Sequence, residues 1–423
     1  MTFRLITPPR PASVFAALAW AIPPVALFAS RAMVILLLAG AGLLILDRDV
    51  RQQAQLVLRS PLALVLAGLV LWAGASVLWA PEPLGSLRLV AKLAGLFGAG
   101  LVLVSGALVV ARDGARALYR PLSIAGLITV ALLAVEWAGQ ARINTFLREA
   151  SGGTTGYPLN LVNRGSVIAS LLVWLTATAM ARDRGPWGHP VVAPAFLATA
   201  FVVFLGLTMT VVPIALAFGA AFWLVVWVTR RRSVRILAVA LAVLAAVAPL
   251  LPQLALHAAT LGERMDALPL SLQHRLHMWA YVAERIAEHP WRGWGLDASR
   301  WFQAGHITIH DMLSPDLTVQ LLPLHPHNGV LQVWLELGLP GAVLLTAIVA
   351  LLLLGIERYS VSRAALASGV AVFATFGVIA GLSYGIWQSW WLATAWLIAA
   401  YAVILAGDRD AAGLPSRRAS GTG

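Results

Sequence analysis

HPHNGVLQVWLELGLPG, residues His325 to Gly341, opens an apolar run that continues to about residue 355. Two histidines and an asparagine stand before the run, and one carboxylate, Glu336, lies inside it. Gly338, Pro340 and Gly341 follow. The run exceeds the roughly 20 residues that a helix needs to cross a bilayer. The question is whether this titratable pair stands at the mouth of one span among many.

Comparable runs recur at about 13–30, 32–46, 61–80, 86–110, 120–139, 163–181, 190–207, 210–228 and 235–256, and after this one (327–355) at 363–384 and 386–406. That pattern predicts an all-α polytopic membrane protein with about twelve transmembrane helices. Composition agrees. The chain has 423 residues, 60% hydrophobic and 11% charged, with mean hydropathy +0.83. A soluble domain could not bury so much apolar surface. A net charge of +12 would point to nucleic acid in a soluble protein, but here the arginines punctuate apolar runs, and no nucleic-acid partner is expected. There are no cysteines, which excludes disulfides and thiolate metal sites.

Arginine sets the orientation. Counting alternate loops from the N-terminus, one side receives Arg4, Arg10, Arg48, Arg51, Arg59, Arg112, Arg116, Arg120, Arg182, Arg184, Arg230, Arg231, Arg232, Arg235, Arg358, Arg363, Arg409, Arg417 and Arg418. Short basic loops stay in the cytoplasm, so both termini are expected there. Residues 1–256 then hold spans one to nine and 327–406 spans ten to twelve. Residues 257–326 form one large outer loop, and 407–423 a disordered tail. Within the loop, Leu272, Arg275, Leu276, Trp279, Val282, Ala283 and Ile286 recur at helical spacing, so the cap is expected to be helical.

Three groups could carry chemistry. His327 stands at the outer mouth of span ten, where a helix N-terminus disfavours imidazolium and keeps the ring neutral, as a general base requires. Asn328, Gln332 and Glu336 follow at four-residue spacing, a polar stripe that must face protein or water. Pro340 lacks an N–H and frees the carbonyl of Glu336, which predicts a kink between Gly338 and Gly341. The second group is Arg88 and Lys92, four apart on one face of span four. Lys92 is the only lysine, and Glu336 or a lipid phosphate is its expected partner. Third, GTTGYPLNLVNRGSVIAS puts Arg164 in the first turn of span six, against the helix dipole, where a diphosphate would suit it. Arg31, Arg142 and Arg148 are expected at the interface. His306, His310, His325 and His327 lack metal-ligand spacing with acids, so no metal is expected.

Together these residues resemble the O-antigen ligase and polymerase family of lipopolysaccharide assembly. The family pattern is His, then Asn, Ser or Gln, nine residues, Gly, two residues, then Gly, Thr or Tyr. His327, Asn328, Gly338 and Gly341 match it without a gap. RLHMWAYVAERIAEHPWRGWG, with Arg275, Trp279, Pro290, Gly293 and Gly295, is similar to the family's periplasmic helix, and NRGSVIAS to its region around Arg164. TMTVVPIALAFG departs from the family's Ser-x-Ser at Thr208 and Thr210.

The resemblance implies a GT-C-type glycosyltransferase in the bacterial inner membrane, needing no cofactor or metal. Its donor would be a glycan on undecaprenyl diphosphate and its acceptor a lipid A–core sugar, transferred with inversion. His327 would be the base, with Arg275 and Arg164 on the leaving diphosphate. Arg88, Lys92, Asn328 and Trp279 would bind substrate. A polymerase or a protein-glycosylating ligase of the same family shares these features. A lipid-diphosphate transporter would need repeats and paired broken helices, and neither is visible.

Overall fold

The computed structural model describes residues 9–154, 156–261, 267–302, 304–311 and 314–408. The expected tail lies outside the described residues from 409 onward. Sixteen helices are described: α1 (Pro11–Phe28), α2 (Met33–Leu44), α3 (Arg48–Leu58), α4 (Pro61–Ser76), α5 (Pro83–Asp113), α6 (Tyr119–Ala138), α7 (Arg142–Ala150) and α8 (Asn163–Arg182); then α9 (Val192–Leu205), α10 (Val211–Thr229), α11 (Arg231–Val247), α12 (Leu251–Leu261), α13 (Leu270–Glu288), α14 (Gly329–Tyr359), α15 (Arg363–Leu382) and α16 (Ser389–Ala406). The protein is an all-α polytopic membrane protein.

Every apolar run named above is helical. Among the described residues, nine helices are long and apolar enough to cross a membrane, or up to eleven if each of two bent pairs counts as one span. The seventh run is α9, whose 14 residues reach only about 21 Å at 1.5 Å per residue, short of a roughly 30 Å core. In one bent pair, α2 gives way to α3 through a 112° turn. Asp47 starts α3 there, its carboxylate accepting from the Asp49 and Val50 N–H groups at 2.9 and 3.1 Å. In the other, the ninth run bends by 72° between α11 and α12. Pro249 and Pro252 flank that bend, and each removes a backbone donor. The Gln253 amide on α12 donates to the Ala280 carbonyl of α13 at 3.1 Å, so the run's last residues pack on the cap.

α8 is the central element: every residue from Gly165 to Met180 is buried. A helix apolar all round belongs in the middle of a bundle. The periphery is the reverse, with Leu71, Leu78, Ile236 and Leu254 exposed, a surface suited to lipid.

The basic loops gather at one end. Arg235 pairs with Glu357 at 2.8 Å, Arg112 bonds Gln53 at 2.6 Å, and Arg182 donates to the Leu405 carbonyl. At the other end of α14 lies the segment between α12 and α14. It is not purely helical, as the sequence led us to expect. After α13, β1 (His306–Asp311) pairs antiparallel with β2 (Ser314–Gln320), in a register that sets Ile307 opposite Val319 and Thr308 opposite Thr318. The alternation of Ile307 and Ile309 with polar neighbours is a strand signal that the helical pattern of α13 overshadowed.

Candidate active site

The site begins with a break in α14. Gly338 has φ +60°, ψ −158°, and the helix is interrupted there. An interrupted span leaves backbone groups that lipid cannot satisfy, so protein must. The segment after α13 does so. Trp294 N–H donates to the Leu335 carbonyl and Gly295 N–H to that of Glu336, each at 2.9 Å, while Leu339 N–H donates to Pro290 O at 2.8 Å. Pro340 cannot supply the Glu336 carbonyl with an N–H, and Gly295 takes its place. Only glycine permits the approach: a Cβ on Gly338 would lie 2.6 Å from the Gly293 nitrogen, and one on Gly295 2.5 Å from Ala80 Cα. Leu296 is held at both ends, its N–H by Ser76 Oγ at 3.0 Å and its carbonyl by Ser86 Oγ at 2.7 Å.

Glu336 joins three elements. Its two oxygens accept from Ser299 Oγ (2.7 Å), Gln332 Nε2 (3.0 Å), Asp297 N–H (2.8 Å) and Trp387 Nε1 (2.7 Å). The side chain is fully buried. Lys92 is not among its partners, contrary to expectation. It is exposed on α5 and makes no hydrogen bond or ion pair among the described residues. The carboxylate acting on it electrostatically is Asp297. Arg88 is exposed one turn earlier.

His327 sits just ahead of this framework, in the left-handed region at φ +50°. That conformation costs a β-carbon residue on the order of 1–2 kcal/mol and marks a position held by its surroundings. Its Nδ1 hydrogen-bonds to the Ser383 carbonyl. A carbonyl only accepts, so Nδ1 carries the proton and Nε2 holds the free lone pair of the neutral ring. Burial lowers the His327 pKa below 6.5, the Ser383 bond opposes this, and Arg275 and His274 lower it further. His325 has a different task. Its Nδ1 accepts the His327 backbone N–H at 3.2 Å, and the two rings lie 4.4 Å apart. Burial, then the charges of His327 and Arg300, push its pKa down to about 3, so it stays neutral as an acceptor.

Arg275 on α13 is the arginine that acts on His327. Its Nη1 donates to the Ser271 carbonyl at 3.0 Å, and its Nε is shielded from solvent without a partner. Burial lowers its pKa. One turn on, Trp279 donates its indole N–H to the Pro326 carbonyl at 2.7 Å, bracing the residue before His327. Asn328 caps α14, its Oδ1 accepting from Val330 and Leu331 N–H at 3.1 Å each. Asn328 thus uses its side-chain oxygen to cap α14, and Trp279 its indole N–H to hold the residue before His327. Arg164, at the start of α8, lies 5.6 Å over the Trp390 ring and close to Tyr384. Thr208 reaches the same turn, 3.2 Å from Asn160 Oδ1 and 3.3 Å from Asn163 Oδ1. Among the described residues no three histidine or carboxylate side chains converge as metal ligands would.

Sequence reasoning missed the loop between α15 and α16, residues 383–388. Ser383 orients His327, Ile386 N–H donates to Gln332 Oε1 at 2.9 Å, Trp387 binds Glu336, and Gln388 lies 3.3 Å from His325 Nε2. The available signal was SYGIWQSWW, polar and aromatic residues between two apolar runs.

Residues 194–346 match the family described as O-antigen ligase. This part of the chain is similar to that family. Proteins provisionally named polysaccharide ligase are similar over a comparable length: one from Rickettsia prowazekii, 37% identical over 132 residues, 31% of this chain and 32% of its own; one from Rickettsia conorii, 37% over 134 residues, 32% of each; and one from Rickettsia typhi, 36% over 132 residues, 31% and 32%. The chain spans about a third of the length of the curated relatives it matches. The O-antigen ligase interval contains Arg275, Gly293, His327, Glu336 and Gly338. Arg31, Lys92, Arg148, Arg164 and the 383–388 loop lie outside it.

Proposed function

We propose that the chain is an O-antigen ligase, a metal-independent, inverting glycosyltransferase of the GT-C type in the bacterial inner membrane. Both termini are cytoplasmic and the His327 end faces the periplasm. The donor is a glycan on undecaprenyl diphosphate and the acceptor a sugar hydroxyl of lipid A–core. The observation that carries this reading is the His327–Ser383 bond, which leaves Nε2 as a lone pair on a ring that the Arg275 charge acts on. The acceptor oxygen attacks the anomeric carbon of the donor and gives its proton to Nε2. The bond from that carbon to the diphosphate oxygen breaks, and the electron pair leaves with the diphosphate. Arg275, with unspent donors, stabilises the charge that grows there, a contribution of about 3–4 kcal/mol for such contacts in a dry site. Lys92 and Arg88, exposed on α5, stand available to the lipid phosphates.

The match of residues 194–346 and the relatives' names support a ligase-type activity. The test is in vitro transfer by the purified chain, given a lipid-linked glycan with either lipid A–core or a second lipid-linked glycan. Product on the core lipid alone supports the ligase; product on the second glycan would make it a polymerase.

A further inference from the structure

His325 faces two donors with one lone pair. The His327 backbone N–H meets its Nδ1 at 3.2 Å, and the Gln388 side-chain nitrogen lies 3.3 Å from its Nε2. The ring is neutral, since burial first, then the charges of His327 and Arg300, press its pKa down to about 3. A neutral imidazole has one N–H and one acceptor nitrogen, so only one of the two bonds can form. The amide cannot turn over to solve this. Trp390 donates its indole N–H to Gln388 Oε1 at 2.8 Å. An indole only donates, so the amide oxygen stays with Trp390 and the NH2 group stays toward His325. The main chain is fixed as well. Gln388 N–H donates to the Gly385 carbonyl at 3.2 Å, and the Gln388 carbonyl accepts from Trp391 and Leu392 N–H at 3.0 Å each.

The backbone bond is the one that holds. The His327 N–H cannot rotate away, and among the described residues it has no second acceptor. Nδ1 therefore accepts, and the His325 proton sits on Nε2. Two N–H groups, one from the imidazole and one from the amide, then confront each other across 3.3 Å. They share one complement: an oxygen about 2.9 Å from each nitrogen, off the line between them, accepts from both. The place is reachable, because His325 is buried but Gln388 is only half-buried. It also belongs to the site. The His325 ring lies 4.4 Å from that of His327, and on the far side of Gln388 the Trp390 ring carries Arg164 at 5.6 Å. Both donors are neutral. Guanidinium groups suit anionic oxygens, whereas an amide and a neutral imidazole suit an uncharged one, the hydroxyl of a sugar.

We infer that Gln388 Nε2 and His325 Nε2 donate together to one sugar hydroxyl oxygen and so orient that sugar at His327. This rests on the ligase reading above, and the sugar belongs either to the acceptor or to the transferred glycan. The tautomer is read first, by nitrogen-15 NMR of the full chain with labelled histidine, His325 being assigned by its loss in His325→Asn. Its proton should be on Nε2. A proton on Nδ1 would give the Gln388 amide a lone pair to bond, and the site would fall. Binding is then measured on His327→Ala, which lacks the proposed base, with a lipid-linked glycan and with lipid A–core in turn. Adding Gln388→Glu offers acceptors to Trp390 and His325 and withdraws the amide hydrogens; adding Gln388→Met withdraws them without charge. Both should weaken one lipid about ten-fold, the scale of one lost hydrogen bond, and leave the other unchanged. The weakened lipid is the one that carries the hydroxyl. Unchanged binding of both lipids, an equal loss for both, or a loss confined to the glutamate variant would overturn the site. Should the methionine variant not fold, raised salt decides, because charge repulsion fades with salt and a missing hydrogen bond does not. Gln388-dependent binding in a wild type that never transfers leaves the site standing and removes the ligase function; transfer with Gln388-independent binding does the reverse.

Discussion

A Cβ on Gly293 would lie 2.6 Å from the Gly338 nitrogen, so the segment after α13 and the break in α14 meet backbone to backbone. Both residues have positive φ, +69° and +60°. Alanine at either position meets a left-handed conformation and a main-chain clash together. Each variant should lose about 2–5 kcal/mol of stability, the sum of the backbone strain and of overpacking. Gly152 is the control: its φ is +76° with nothing within 4 Å of an added Cβ, so Gly152→Ala should lose only about 1–2 kcal/mol. Thermal unfolding in detergent measures all three, and equal losses would mean the contact is unimportant.

The histidine pair should separate by function. On the proposed mechanism His327→Ala removes the base and should slow transfer by ~10²–10⁴-fold with donor binding largely intact. His325→Ala removes an acceptor and should cost far less rate. An inactive His325→Ala beside an active His327→Ala would reverse the assignment. Because burial lowers the His327 pKa, the wild-type rate should hold down to pH values below 6.5 and fall only as the ring protonates.

Stability carries a second pH signature. His325 binds its proton at about pH 3 folded, against 6.5 ordinarily, so the unfolded chain takes up more protons between those values. The folded state should therefore weaken as pH falls, by about 1.4 kcal/mol per pH unit below 6.5 from this residue. His325→Asn should flatten that dependence in thermal unfolding between pH 4 and 6.5; an unchanged slope would assign it to other groups.

The spans were legible because hydropathy is local: α1, α4, α5, α6, α8, α10, α14, α15 and α16 each announce themselves within their own residues. The His327–Gly341 spacing and the donor missing at Pro340 are local too. The bends were harder. A hydropathy run passes unbroken from Val247 to Leu251, and only Pro249 and Pro252 signal the turn. The 383–388 loop was illegible for a stricter reason. Ser383 acquires its role from a residue 56 positions away, and Trp387 from one 51 away. No pattern within SYGIWQ encodes those partners. Sequence names side chains without saying which atoms are already bonded, so the bonds of Asn328 Oδ1 and the Trp279 indole N–H were not legible in it.

Arg275 should be distinguishable from a generic positive charge. Arg275→Ala should abolish transfer while insertion is unaffected, and Arg275→Lys should rescue poorly, since an ammonium cannot replace a planar fork. Transfer rates set beside detergent-extracted yields make the comparison. Full activity in the lysine variant would reduce the role of Arg275 to its charge.

Glu336 gives the sharpest test of the framework behind His327. Its oxygens take four donors, from Ser299, Gln332, Asp297 and Trp387. Glu336→Gln keeps the shape but turns one acceptor into a donor. Ser299 can rotate to accept, whereas the Gln332 amide, the Asp297 N–H and the Trp387 indole cannot. At least one buried donor is left facing another, a loss of about 1–3 kcal/mol. Trp387→Phe removes one donor and leaves the other three bonded, so its effect on the carboxylate should be smaller. The loop that carries Trp387 also carries Ser383, so Glu336→Gln should lower kcat more than the donor KM, and restoring stability with added lipid should not restore kcat. A glutamine variant as stable and as fast as the wild type would mean that Glu336 is not what fixes the 383–388 loop against α14.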